Sequence, residues 1–124
     1  MIPITGAQYE IFAGGYQATV TELGAGLRVL RYRSQPVITE YAADELPPGA
    51  AGQLLAPWPN RIDNGLYTVT DVQYQLDLSE PTSRNAIHGL TRWAAWTVVL
   101  SRSGPSAVAA CAAWPAGLPV LSRT

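Results

Sequence analysis

Several residue types are scarce in this chain of 124 residues: it contains no lysine, and histidine, cysteine, methionine and phenylalanine occur once each. The single Cys111 excludes an intramolecular disulfide and a cysteine-built metal cluster, and it fits a reducing, cytoplasmic setting. One histidine, with no second His or Cys at ligand spacing, gives no basis for a metal site. Charged residues make up only 14% of the chain and sum to −1, and its eight arginines are scattered. Such a distribution has no electrostatic footprint for nucleic acid. The start, Met1-Ile2-Pro3-Ile4-Thr5, lacks the basic region and apolar core of a signal peptide. Only Gly104 to Ser122 is long and uncharged, and Pro105, Pro115, Gly117 and Pro119 interrupt it, which argues against a membrane span.

What is present is 48% hydrophobic sequence, enough for one folded globular domain. Its apolar residues follow strand periodicity. Tyr9 to Phe12 and Tyr16 to Val20 flank Ala13-Gly14-Gly15, whose glycines supply the positive φ of a tight hairpin. Leu27 to Tyr32 is apolar on both faces, as in a strand covered on both sides or one carrying a bulge. A further strand is expected through Val37 and Ile38. Asp44 to Gly52, rich in Pro, Gly and acid, reads as a surface loop. After the turn signal Asp63-Asn64-Gly65 come Leu66 to Thr70, and then Val72, Tyr74 and Leu76 alternating with glutamines. Trp93 to Leu100 reads as another strand. The fold class is therefore all-β, a partial sandwich, with about seven short strands near the lower limit of what closes one; an incomplete chain is expected.

Two segments concentrate polar heads on stiff backbone: Leu54-Leu55-Ala56-Pro57-Trp58-Pro59-Asn60-Arg61-Ile62 and Asn85-Ala86-Ile87-His88-Gly89-Leu90. Pro57 and Pro59 fix φ and bias the preceding residues to extended geometry. Arg61 offers a fixed fork of donors, and Asn60 both donates and accepts, a combination suited to sugar hydroxyls. The alternative is a turn asparagine beside a surface arginine. His88 has the side chain best suited to pass protons near neutrality, or it is a hydrogen-bonded residue of a β-turn. Trp58, Trp93 and Trp96 could each stack on a pyranose face, although tryptophans of a small β domain are commonly core; Trp58 is the candidate because it lies inside the motif. Asp63, Asp77 and Glu80 lie in or beside turns, with no sequence reason to act as a base.

Jointly, Gln53 to Ile62, Asn64-Gly65-x-Tyr67, Tyr74-Gln75-Leu76, Glu80-Pro81 and Asn85-x-x-His88-Gly89-Leu90, followed by Trp93 and Trp96, resemble the aldose 1-epimerase (galactose mutarotase) family over about residues 15 to 100. The resemblance implies the N-terminal portion of a large twisted β-sandwich, the supersandwich, and an isomerase that interconverts the α and β anomers of a free aldose. It implies no cofactor, a small-molecule sugar as partner, Asn60 and Arg61 on sugar oxygens, and His88 as the first of the family's two histidines, near the ring oxygen or its neighbouring hydroxyls.

The family's second histidine, its sugar-binding aspartate and its glutamate base have no counterpart here. Residues 1–100 are accordingly expected to be the N-terminal part of the sandwich. Residues 101–124 are expected to be a divergent tail from a truncated or frame-shifted reading frame, with activity impaired. Reading the other frames downstream of the Ser101 codon tests this; the absence of a histidine-bearing β segment in any frame would refute it. The alternative is a non-catalytic carbohydrate-binding or regulatory module of the same fold. An epimerase of phosphorylated hexoses would need a basic cluster that the scattered arginines do not supply.

Overall fold

The computed structural model of the protein describes residues 1–102, 109–113 and 122–123, with side chains through residue 99. The divergent tail expected over residues 101–124 lies largely outside the described residues. The described elements are β-strands apart from two short 3-10 turns, Pro48–Ala50 and Pro81–Ser83. Among the described residues no helix is long and apolar enough to cross a membrane. The chain divides into two compact units, Met1–Leu54 with Arg92–Ala116, and Leu55–Thr91 with Gly117–Thr124.

In the first unit, β1 (Gln8–Ala13), β2 (Tyr16–Thr21), β3 (Leu27–Tyr32) and β4 (Gln35–Pro36) form an antiparallel meander in that order. Gly14 and Gly15 sit at φ 53° and 88°, so the expected two-residue hairpin turn forms and pairs Ala13 with Tyr16. Register then sorts the side chains. Ile11 lies opposite Ala18, which pairs Leu30, while Thr19 pairs Val29 one residue along and therefore on the opposite face. Ile11, Thr19 and Val29 are all buried, so both faces of this sheet are covered, as the apolar pattern of Leu27 to Tyr32 requires. A register shift at Thr19/Val20 adds the bulge.

The strand expected through Val37 and Ile38 is instead Gln35–Pro36. Arg33 and Ser34 adopt left-handed φ values of 47° and 68°, closing the turn directly after Tyr32 and drawing pairing back by two residues. Likewise β9 (Thr97–Arg102), paired with β10 (Ala109–Ala113), begins later than Trp93. The residues before it run along Glu22–Gly24 instead. Gly24 N–H donates to the Ala94 carbonyl at 2.7 Å, and Trp96 N–H to that of Glu22 at 2.8 Å.

In the second unit, β5 (Arg61–Asp63) pairs with β8 (Asn85–Ile87), and β6 (Leu66–Val69) pairs with β7 (Val72–Gln75), whose other edge takes β11 (Ser122–Arg123). Asn64-Gly65 turns the chain from β5 to β6 with φ values of 53° and 64°, as its composition predicts. Cross-strand partners Tyr67 and Tyr74 stack with ring centroids 5.3 Å apart. Leu76, Ala86 and Thr91 are the buried side chains that anchor this unit.

Candidate functional site

The two polar segments meet inside the second unit. Gly89, at φ 73°, passes so close to Ala56 that a Cβ on it would stand 2.2 Å from the Ala56 carbonyl oxygen. Only glycine permits that approach. Leu90 N–H then donates to the same carbonyl at 2.7 Å, and the fully buried Thr91 Oγ1 accepts from Ala56 N–H at 3.3 Å.

Four residues beyond Ala56, Asn60 and His88 face each other through two hydrogen bonds. His88 N–H donates to the Asn60 carbonyl at 2.8 Å, and Asn60 N–H donates to His88 Nδ1 at 3.0 Å. Both residues hold left-handed backbone, at φ 63° and 60°. Left-handed non-glycine residues cost backbone energy and cluster where the surrounding structure determines them. The ring contact has a chemical consequence: with Nδ1 accepting, neutral His88 carries its proton on Nε2 and donates through that nitrogen.

Arg61, paired in register with Ile87 next to His88, keeps its side chain half exposed. Its Nε and Nη2 donate to Glu80 Oε1 and Oε2 at 2.8 and 3.0 Å, and its Nη1 donates to Asn60 Oδ1 at 2.9 Å. Among the described residues those three bonds leave two of the five guanidinium N–H donors. The hydrogen bonds from Arg61, and secondarily those from Asn85 and Ser83, hold the Glu80 carboxyl below the usual carboxylate range against the opposing effect of burial. The same pairing raises Arg61 above its ordinary value. Asn85 Nδ2 reaches Glu80 Oε1 at 3.3 Å. Asn60, Arg61 and His88 are thus one hydrogen-bonded group. Trp58, two residues before Asn60, is half buried with its indole Nε1 turned inward and no acceptor for it among the described residues, so only its ring could meet a ligand. Trp93 belongs to the first unit, exposed, with the Arg92 guanidinium 4.3 Å from its ring centroid.

Glu80 is the member that sequence reasoning missed. It was legible only as a turn residue, because its contact with Arg61 spans 19 residues and depends on the β5·β8 register. The signal nearest to it was the position of Glu80-Pro81 at the mouth of the turn leading back to Asn85.

A profile described as Aldose 1-epimerase matches residues 7–115. The chain belongs to the aldose 1-epimerase family. Among its relatives is the uncharacterized protein YihR of Escherichia coli (strain K12), 38% identical over 94 residues that make up 76% of this chain and 30% of YihR. The fold is shared with a solved aldose 1-epimerase candidate from Escherichia coli K12, with a TM-score of 0.66 at 17% identity, covering 77% of this chain and 33% of the other. A galactose mutarotase-like protein from Clostridium acetobutylicum superposes with a TM-score of 0.59 at 26% identity, over 75% of this chain and 30% of that one. The all-β architecture is therefore a portion of the galactose mutarotase-like sandwich. This epimerase-family chain spans about a third of the length of the relatives it matches.

Proposed function

We propose that Asn60, Arg61 and His88, with the ring of Trp58 beside them, form the sugar-contacting part of an aldose 1-epimerase site, where the α and β anomers of a free aldohexose interconvert by acid/base ring opening. The observation that carries this reading is the reciprocal hydrogen bonding of Asn60 and His88, which joins the two motif segments into one polar group. Ring opening needs a donor at the ring oxygen and an acceptor for the anomeric hydroxyl proton. His88 Nε2–H supplies a donor, and Arg61 and the Asn60 side-chain amide supply further donors for hydroxyls. No cofactor enters this chemistry, and the lone Cys111 suits a cytoplasmic setting.

Activity is expected to be low in this chain. Glu80, the carboxylate bonded to the group, is engaged by Arg61 and held ionised, and a carboxylate so stabilised is a weak base. That same observation favours a second reading, a carbohydrate-binding module without catalysis. Polarimetry of freshly dissolved α-galactose and α-glucose, run beside a binding titration, separates them. Accelerated mutarotation that His88→Ala abolishes supports the epimerase reading, and saturable binding without acceleration supports the second. Absence of both effects would contradict the site.

A further inference from the structure

We propose that Glu80 is a positioning residue that locks the Arg61 guanidinium in one plane and thereby aims its two remaining N–H donors at the ligand; this rests on the sugar-site reading above. Arginine loses much rotamer freedom when a ligand immobilises it, so an arginine already held in the bound geometry recovers affinity. The holding is geometric. Glu80 engages the Nε/Nη2 edge through both carboxylate oxygens, and Asn60 Oδ1 takes Nη1, so contacts at all three nitrogens fix the plane and its rotation.

Glu80 is itself fixed on both sides. Its backbone pairs with Asn85, Glu80 N–H to the Asn85 carbonyl at 3.0 Å and Asn85 N–H to the Glu80 carbonyl at 3.2 Å, closing the six-residue loop around the Pro81–Ser83 turn. Arg84, at φ 55°, completes that loop, and Asn85 Nδ2 holds Oε1. An exposed ion pair contributes little to stability. What the pair does contribute is orientation, because a bidentate fork defines a plane that a point charge would leave free.

The test compares wild type with Glu80→Ala, Glu80→Gln, Arg61→Ala and, as a control, Glu40→Gln, which alters the first unit's Arg31–Glu40 ion pair, in which Arg31 Nε and Nη2 donate to the two carboxylate oxygens of Glu40. NMR relaxation of the Arg61 Nε–H reports the order of the guanidinium without any ligand. Titration with methyl galactoside, a locked pyranose that cannot mutarotate, reports affinity. Glu80→Ala is expected to lower the order of Arg61 and weaken binding roughly two- to tenfold. Glu80→Gln, which keeps one acceptor, is expected to fall between, and Glu40→Gln to change neither. Unchanged Arg61 order in Glu80→Ala overturns the proposal, as does lost order with unchanged affinity while Arg61→Ala weakens binding. If wild type itself does not bind the glycoside, the sugar-site reading fails, and the order of Arg61 still decides whether Glu80 holds it. Backbone amide spectra of β5 and β8 show whether each variant keeps its fold.

Discussion

In the first unit the six-residue strands β1 to β3 pair along their length with one bulge and bury Ile11, Thr19 and Val29, whereas the second pairs strands of three and four residues and, among the described residues, buries only Leu76 and Ala86 of its apolar side chains. Both units bend through left-handed residues, Ala25, Arg33, Ser34 and Ala50 in the first and Asn60, Asn64, Thr70, Asp71, Arg84 and His88 in the second, where polar contacts join the bends. A sheet held by alternating burial is sensitive to loss of volume in its core. A segment with fewer buried apolar side chains depends more on side-chain hydrogen bonds and close backbone approach. The polar group occupies the second kind of scaffold, where backbone geometry sets side-chain direction.

That contrast breaks most sharply at Gly89. Gly89→Ala forces a Cβ onto the Ala56 carbonyl at left-handed φ and is expected to cost about 3 kcal/mol or more, read from urea unfolding. In the first unit Ile11→Ala is expected to cost about 2–3 kcal/mol in the same measurement, by loss of burial and the cavity left behind. A Gly89→Ala protein as stable as wild type would show that the close approach is not what joins the two segments.

These elements were unequally legible in the sequence. Gly14-Gly15, the Leu27–Tyr32 strand and the alternation through Val72 and Tyr74 were readable because glycine conformation and period-two burial act locally. The Arg33-Ser34 turn was not, since neither residue announces positive φ, and β4 was consequently expected two residues too late. At the site, residue types pointed to Asn60, Arg61 and His88, but their joining depends on register. Only the fold shows that Asn60 N–H occupies Nδ1 of His88 and that Glu80, a turn residue by composition, reaches Arg61. The inward-facing Nε1 of Trp58 was equally invisible, because side-chain rotation leaves no periodic trace.

A smaller effect sharpens the polar side of the comparison. His88→Ala removes the acceptor of Asn60 N–H and is expected to destabilise by about 1 kcal/mol. Hydrogen exchange should show the loss at Asn60 and in β5 and β8, with β1 to β3 unchanged. Equal loosening of both units would contradict their separate means of support.

The smallest effect is expected from acid. Glu80 and Glu40 are both held below the usual carboxylate range, chiefly by hydrogen bonds from Arg61 and Arg31. For each, the folded state releases its proton more readily than the unfolded chain, so its contribution is complete above the ordinary carboxylate value near ~4.3 and is lost as pH falls through the lowered folded value. Stability should therefore be flat with respect to these groups at neutral pH and decline only in acid. Glu80→Gln should reduce that decline in signals from the second unit, and Glu40→Gln in those from the first. A decline starting near pH 6 would assign it to other groups.

The measurement that bears most directly on the central claim is an NMR titration of the chain with methyl galactoside, following backbone and side-chain N–H signals. The account expects saturable shifts at Asn60, Arg61 Nε–H and His88, abolished by Arg61→Ala. Shifts confined to the first unit, or saturation undisturbed by Arg61→Ala, would contradict it.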